Sequence, residues 1–161
     1  MEPPEQELHR ATLRALTRLM SQWSSLDFQR RITAECGVSL DPAAVRALYG
    51  LGIAGGSARP SDIADDLHLS RPSTSKLLAR LTEAGLVERT PDPGDRRAAR
   101  ITLTDDGRRT YEQLFTAGVA LLGGATAGWD EAEVRTLAAL LTRFTDGLLT
   151  GPDPTAQTPA D

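Results

Sequence analysis

Cysteine, histidine and aromatic residues are scarce in this 161-residue sequence, and their scarcity excludes several kinds of protein. The one cysteine cannot form an internal disulfide, and the two histidines, His9 and His68, lie too far apart along the chain to suggest a metal-binding motif. No run approaches the ~18 apolar residues that a membrane-spanning helix needs. The acidic start of the chain lacks the basic-then-apolar order of a signal peptide. The sequence therefore predicts a cytoplasmic protein without a bound metal.

The sequence also lacks the common signatures of enzyme sites. It contains no Gly-x-Ser-x-Gly nucleophile motif, no phosphate-binding P-loop and no glycine fingerprint for a dinucleotide. A short glycine-rich stretch, residues 55–57, is too short to cradle a phosphate and is expected to be a flexible connector between two helices. We therefore expect a protein that is not an enzyme and that needs no cofactor.

Two short helices joined by a three-residue turn are predicted between residues 60 and 85. The first helix, at about 60–67, should bury three apolar side chains: Ile63, Ala64 and Leu67. Ser70 ends the turn as a good N-cap. Pro72 then stands in the first turn of the second helix, where proline is favoured, and Gly85 ends that helix. This arrangement is typical of a helix-turn-helix.

The second helix has one apolar side and one side suited to DNA. Its apolar stripe recurs at helical spacing and consists of Thr74, Leu77, Leu78 and Leu81. The opposite side and the N-terminal edge carry small, hydroxyl-bearing and basic residues, which suit insertion into a major groove. The candidate DNA-binding residues of this helix are Ser70, Arg71, Pro72, Ser73, Ser75, Lys76 and Arg80. The alternative is an ordinary solvated helix face.

A β-hairpin wing is predicted directly after this helix. Its strands are expected at 86–89 and 100–103, around turn-forming residues at 91–95. Arg96, Arg97 and Arg100 lie at the tip and on the return strand, from which arginines can reach a minor groove. Asp95 is expected to hold an arginine in a bidentate pair, because phosphate would repel it. The alternative is that these charges only keep an exposed hairpin soluble.

The net charge of −4 looks unsuitable for a nucleic-acid partner until the charges are located. Residues 68–100 contain seven basic and four acidic side chains, so this segment carries +3 and the remainder of the chain carries −7. A concentrated basic face on an acidic body is expected of a specific DNA-binding protein. We therefore expect double-stranded DNA as a partner.

The same segment resembles the MarR family of winged helix-turn-helix transcriptional regulators. The resemblance is carried by residues 70–73, 77–81 and 85–89 and, most strongly, by 95–97 followed by 101–104 and Gly107. It implies that Asp95 and Arg97 pair in the wing and touch the minor groove, while residues 70–76 and Arg80 contact DNA. It also implies a repressor. One departure is Thr74, where the family commonly has an apolar residue.

Amphipathic segments on both sides of the winged helix are expected to form a dimer. Helices are expected at about 5–36, 42–51, 104–122 and 130–149, with Asp41 as the N-cap of the second and Thr104 as the N-cap of the third. The last one carries a narrow apolar seam: Val134, Leu137, Leu141, Phe144 and Leu148. The N-terminal helix carries a second apolar stripe, formed by Leu8, Ala15, Leu16, Leu19, Trp23 and Leu26. The seam and this stripe together present more apolar surface than one small winged helix can cover. Two-fold interlocking of the first and last helices of two subunits would cover both.

The predicted fold is therefore mainly α with a small β-hairpin wing, in a single MarR-like domain over 1–161. Residues 5–36 and 104–149 are assigned to dimerisation, 42–103 to the winged DNA-binding lobe, and 150–161 to a disordered tail. A two-fold homodimer places two recognition helices on one duplex, so we expect a pseudo-palindromic operator.

The signal that regulates the protein is less evident from its residues. In the resembled family, small aromatic acids or phenols bind between the dimerisation helices and the winged lobe. The residues here that could serve such an effector are Trp23, Phe28, Arg46, Tyr49 and Tyr111. The alternative, that these aromatics belong to the core and that Arg46 is a surface charge, is at least equally open.

Two other hypotheses remain open at this point. Cys36 suggests thiol-based redox sensing, but it lies near the end of the predicted first helix instead of its start, which favours an inert cysteine. A winged-helix protein-interaction module without DNA binding would predict an acidic or blocked recognition face. The presence of Lys76 and Arg80 favours the DNA-binding hypothesis over this module.

Overall fold

A computed structural model describes residues 3–23, 25–35, 40–95 and 98–151, which form seven helices and three strands. The helices are α1 Pro3–Trp23, α2 Leu26–Glu35, α3 Pro42–Ile53, α4 Pro60–Leu67, α5 Arg71–Glu83, α6 Asp105–Ala125 and α7 Glu131–Thr150. The strands are β1 Ser57–Ala58, β2 Val87–Pro91 and β3 Ala99–Leu103. The chain divides into two compact units, 1–119 and 120–161, so α6 runs from the first unit into the second.

The N-terminal segment forms two helices, so the single helix predicted over 5–36 is wrong. The backbone N–H of Phe28 donates to the Ser25 hydroxyl at 3.2 Å, which satisfies a free donor in the first turn of α2. Serine favours such helix starts because its hydroxyl competes with the helical backbone for hydrogen bonds. The apolar periodicity continues across this break and hides it in the sequence. Cys36, together with the redox hypothesis, lies outside the described residues.

The helix starts of the winged lobe follow the predicted caps. The Asp41 carboxylate accepts a hydrogen bond from the Ala44 backbone N–H at 3.0 Å, and Pro42 opens α3. The Ser70 hydroxyl accepts one from the Ser73 backbone N–H at 3.3 Å at the start of α5. The predicted bounds 60–67 for the first helix of the helix-turn-helix are confirmed by α4.

The sheet has three strands in the order β1-β3-β2, and all neighbours are antiparallel. The wing hairpin is confirmed, with Val87 paired to Leu103 and Pro91 paired to Ala99. The expectation of a flexible connector at 55–57 is wrong, because Ser57 pairs with Thr102 in β3. Gly55 and Gly56, with φ of +81° and +91°, turn the chain from α3 into this short strand.

The core of the first unit lies between α3, α4, α5, the sheet and the first half of α6. Its most deeply buried side chains are Leu48, Leu51, Leu78, Leu81, Val87, Ile101 and Leu114. The start of α6 is joined to the turn between α5 and β2 by Thr104, whose hydroxyl accepts from the Gly107 backbone N–H at 3.0 Å and donates to the Gly85 carbonyl at 2.6 Å. A Cβ at Gly107 would overlap the Leu86 carbonyl oxygen, so only glycine fits there.

The second unit contains the end of α6 and all of α7. Asp130 caps α7 and forms a reciprocal capping box with Glu133, at 2.8 and 2.9 Å. None of the twenty residues of α7 is buried in the single chain. Every side chain of the predicted apolar seam is therefore accessible, from 39 % for Val134 to 68 % for Leu148.

Across the part of the chain that the structure describes, no helix is both long and apolar enough to cross a membrane.

Candidate nucleic-acid interface

Helix α5, the second helix of the helix-turn-helix, is anchored through the predicted apolar stripe. Thr74, Leu77, Leu78 and Leu81 are each at most 3 % exposed. The Thr74 hydroxyl donates to the Ser70 carbonyl at 3.0 Å, so its polar atom is satisfied within the helix while its methyl group packs in the core. This bond explains how threonine occupies a position where an apolar residue was expected.

The opposite side of α5 is exposed at every predicted contact position. These residues are Ser70, Arg71, Pro72, Ser73, Ser75, Lys76 and Arg80. The Ser70 hydroxyl donates to that of Ser73 at 2.9 Å, and this contact orders the N-terminal edge of the helix. The first turn carries no acidic side chain. The helix therefore presents hydroxyl groups, a guanidinium and an ammonium, together with the positive end of its dipole, on one exposed end.

Arg80 differs from the other predicted contacts because an acidic partner holds it. Its Nη1 atom lies 2.5 Å from Oδ2 of Asp41, the residue that caps α3. Burial of Asp41 opposes its ionisation, but hydrogen bonds from Ala44 and Arg80 outweigh this effect and hold the carboxyl pKa below its usual value. The sequence predicts Asp41 as a helix cap but carries no signal for this ion pair, which joins residues 39 positions apart.

The turn of the wing is anchored by Asp92, which follows β2 and whose side chain is only 4 % exposed. Its Oδ2 atom lies 2.8 Å from Nε of Arg59 and 3.6 Å from Nη1 of Arg100. Its Oδ1 atom accepts from the Gly94 backbone N–H at 2.8 Å. The Arg59 hydrogen bond is the largest influence that lowers the Asp92 pKa to about 2, and the Gly94 bond adds to it.

Arg100 is part of this framework and not a free wing arginine. Its Nε donates to the Ser57 hydroxyl at 2.9 Å, and its Nη2 donates to the Ser57 carbonyl at 2.8 Å. The interpretation of Arg100 as a residue that reaches the minor groove is therefore corrected, because the guanidinium joins β1, β3 and Asp92. The sequence signal for this role is weak, since β1 has only two residues.

Asp95 lies in the turn of the wing, where its backbone carbonyl accepts from the Ala98 N–H at 2.9 Å. Arg96 and Arg97 lie outside the described residues, so the predicted Asp95–Arg97 pair stays a prediction. Asp92 was not among the predicted site residues, although its local sequence carries a signal. In the segment Asp-Pro-Gly the first side chain can accept a hydrogen bond from the backbone two residues on, as an Asx turn does.

Four of the five candidate effector residues form two aromatic pairs, and Arg46 stands apart from them. Trp23 and Phe28 have ring centroids 5.2 Å apart, and Tyr49 and Tyr111 have theirs 6.1 Å apart in an edge-to-face arrangement. The Tyr49 hydroxyl donates to the Leu114 carbonyl at 2.6 Å, which joins α3 to α6. Arg46 is exposed and donates to the Leu67 carbonyl at the end of α4, at 3.3 Å.

Comparison with known proteins agrees with this architecture. A model of the MarR family matches residues 38–98, which span the helix-turn-helix and most of the wing. The chain is 31 % identical over 89 residues to YwhA of Bacillus subtilis, an uncharacterised HTH-type transcriptional regulator. That match covers 55 % of this chain and 64 % of the relative, so the chain spans less than two thirds of the length of that curated relative. These matches support assignment of the winged-helix segment to the MarR family.

Solved structures of MarR-type proteins extend the likeness to nearly the whole chain. A MarR family protein of Bacillus stearothermophilus superposes with a TM-score of 0.71 at 20 % identity, over 90 % of this chain and 98 % of that one. NadR, solved in complex with 4-hydroxyphenylacetate, superposes with a TM-score of 0.59 at 23 % identity, over 85 % and 91 %. At these identities the likeness shows the fold alone. The prediction of a mainly helical winged-helix fold with a small β-sheet is confirmed.

The curated relative is named a transcriptional regulator, which agrees with the expectation that this chain is not an enzyme.

Proposed function

We propose that this chain is a dimeric, sequence-specific regulator that binds double-stranded DNA and represses transcription until a small ligand releases it. The observation that carries the proposal is the exposed N-terminal end of α5. There Arg71, Ser75 and Lys76 stand clear of the core on a helix anchored by its apolar stripe. A helix with this distribution can place donors on base edges and phosphates in a major groove.

The wing is proposed to supply the second set of contacts, in the adjacent minor groove. Arg96 and Arg97 follow Asp95 in the turn segment of the sequence, and the start of that turn is held by Asp92. A narrow minor groove concentrates negative potential and attracts arginine. We assign Asp95 to orient Arg97 there, as the family resemblance implies.

Dimerisation is proposed from the apolar side chains that a single chain leaves accessible. On α7 these include Leu137, Leu141 and Phe144, at 42, 47 and 39 % exposure, and on α1 they include Leu8 and Trp23, at 67 and 46 %. Seams of this spacing pair with a second helix and bury their apolar surface. A two-fold pair of α5 helices would then address half-sites whose centres lie about one helical turn of DNA apart, or a multiple of it.

The effector is proposed to be a small aromatic acid or phenol. The fold neighbour NadR is described in complex with 4-hydroxyphenylacetate, a phenolic acid. In this chain Tyr49 and Tyr111 offer flat apolar surface beside hydroxyl groups, and Trp23, Phe28 and Arg46 are the further candidates. Of these, the Tyr49–Tyr111 pair is favoured because it joins the winged lobe to α6, so an occupant there would act on both elements.

The test is selection of duplexes from a random-sequence pool by the purified protein, followed by affinity measurements on the selected duplex. We expect the selected duplex to be a pseudo-palindrome bound by two chains. Lys76→Ala and Arg97→Ala should each bind it more weakly than the wild type does. Arg18→Ala removes an exposed positive charge from α1 and serves as the matched control. A panel of phenols and aromatic acids should then release the selected duplex. Enrichment of no sequence, or of a single half-site bound by one chain, would refute the proposal.

A further inference from the structure

One basic residue of the recognition helix is engaged by an acidic residue of the same chain. Asp41 uses its two carboxylate oxygens separately: Oδ1 accepts the capping hydrogen bond from Ala44, and Oδ2 lies 2.5 Å from the Arg80 guanidinium. The Arg80 and Asp41 side chains remain 59 % and 38 % exposed, so water and other ions reach this pair. Asp41 therefore competes for the Arg80 guanidinium with any anion that approaches α5.

The position of Arg80 along α5 indicates which group of a bound duplex its guanidinium would meet. Arg80 follows Lys76 by four residues, so the two side chains share one face of the helix. It lies nine residues after Arg71, which is about 14 Å along the helix axis at 1.5 Å per residue. Recognition helices contact base edges mainly with their N-terminal residues. A basic side chain this far along the helix is placed to meet the phosphate backbone instead.

We propose that Asp41 restrains Arg80 and so lowers the affinity of this chain for duplex DNA of any sequence. The inference rests on the proposed function, since it concerns the same DNA-binding helix. An arginine that neutralises a phosphate releases about 0.9 counterion, and this release drives sequence-independent binding. While Arg80 is paired with Asp41, the two charges cancel, and Arg80 releases few counterions from the DNA. The N-terminal part of α5 then carries a larger share of binding.

Asp41→Asn tests this restraint without removing the helix cap, because asparagine caps helices as well as aspartate does. The probe is a random-sequence duplex of about 30 base pairs, titrated at several salt concentrations. We expect Asp41→Asn to bind more tightly than the wild type. The plot of log K against log salt should steepen by about 0.9, which is about a 3.5-fold larger loss of affinity between 50 and 200 mM salt.

Two further variants separate release of Arg80 from a general change of charge. Glu83→Gln removes one exposed negative charge from α5 itself and should change the slope less than Asp41→Asn does. In an Arg80→Ala background, Asp41→Asn should lose its effect on the slope. An equal effect of Glu83→Gln, a slope that Asp41→Asn leaves unchanged, or an effect that persists without Arg80 would each overturn the inference. Duplex binding by the wild type alone tests the proposed function, and its absence would overturn both.

Discussion

Asp92 accepts a hydrogen bond from Arg59 at 2.8 Å, and this contact ties the turn of the wing to the residue that precedes α4. The same carboxylate lies 3.6 Å from Arg100, which in turn donates twice to Ser57 of β1. One nearly buried carboxylate thus joins the helix-turn-helix to two strands of the sheet. The wing and the recognition helix are therefore built on a shared framework, and their spacing does not depend on the hairpin alone.

This framework predicts a specific dependence of stability on pH. The Asp92 pKa is about 2 in the folded chain against an ordinary value of 3.8, so between about pH 4 and pH 2 the unfolded chain takes up the proton first. The free energy of unfolding should therefore fall as the pH is lowered through this range. Asp92→Asn should be less stable at neutral pH and should lose this part of the acid dependence, as measured by urea denaturation at stepped pH values.

Asp66→Asn is the matched control for this prediction, because it removes the same charge from an exposed position of α4. Its acid dependence should follow that of the wild type. If Asp92→Asn and the wild type lost stability in parallel between pH 4 and pH 2, the assigned role of the carboxylate would be wrong.

Gly52 and Gly50 provide a paired test of the contact between α3 and α6. A Cβ at Gly52 would overlap the Tyr111 ring, whereas a Cβ at Gly50 meets no atom within 4 Å. Gly50→Ala should stabilise the chain by about 0.5–1 kcal/mol, because alanine favours the helix. Gly52→Ala should instead destabilise it by about 1–3 kcal/mol, because the Tyr111 ring has to leave its packed position.

Chemical denaturation of the two variants checks the sign of each change, and tyrosine near-UV circular dichroism reports the Tyr49–Tyr111 contact. Equal stabilisation by both substitutions would show that the ring moves aside without cost.

The sequence predicted the elements whose signals are local. Asp41, Ser70 and Thr104 each accept the capping bond that their residue type favours, and the 3-4 spacing of Leu77, Leu78 and Leu81 identifies the buried side of α5. Caps and helical stripes depend on neighbours three or four residues away, so a single sequence displays them.

The features that the sequence did not reveal depend on residues far apart along the chain. The strand β1 exists because Ser57 meets Thr102, and the ion pair of Arg80 exists because α3 packs beside α5. Asp92 is buried by partners 33 and 8 positions away, Arg59 and Arg100. The break before α2 was missed for a different reason, because the Ser25 cap is local but lies within a continuous apolar pattern.

The proposed dimer predicts that one substitution on α7 lowers the mass of the assembly in solution. Leu141→Glu places a charge within the apolar seam, where a partner helix would have to bury it, and should shift the chain from dimer to monomer. Thr142→Glu adds the same charge at the neighbouring position outside the seam and should leave the dimer intact. Sedimentation equilibrium of the wild type should give twice the 17.3 kDa mass of one chain. A wild-type monomer, or dissociation by Thr142→Glu alone, would contradict the assigned interface.

The central claim is that the exposed side of α5 binds DNA, and the salt dependence of binding by Lys76→Ala tests it most directly. Wild-type affinity for a selected duplex should fall linearly on a log–log plot against salt. Lys76→Ala should bind more weakly, with a slope shallower by about 0.9 because one phosphate contact is lost. Arg18→Ala should match the wild type. Binding that does not depend on salt, or a Lys76→Ala variant indistinguishable from the wild type in both affinity and slope, would contradict the account.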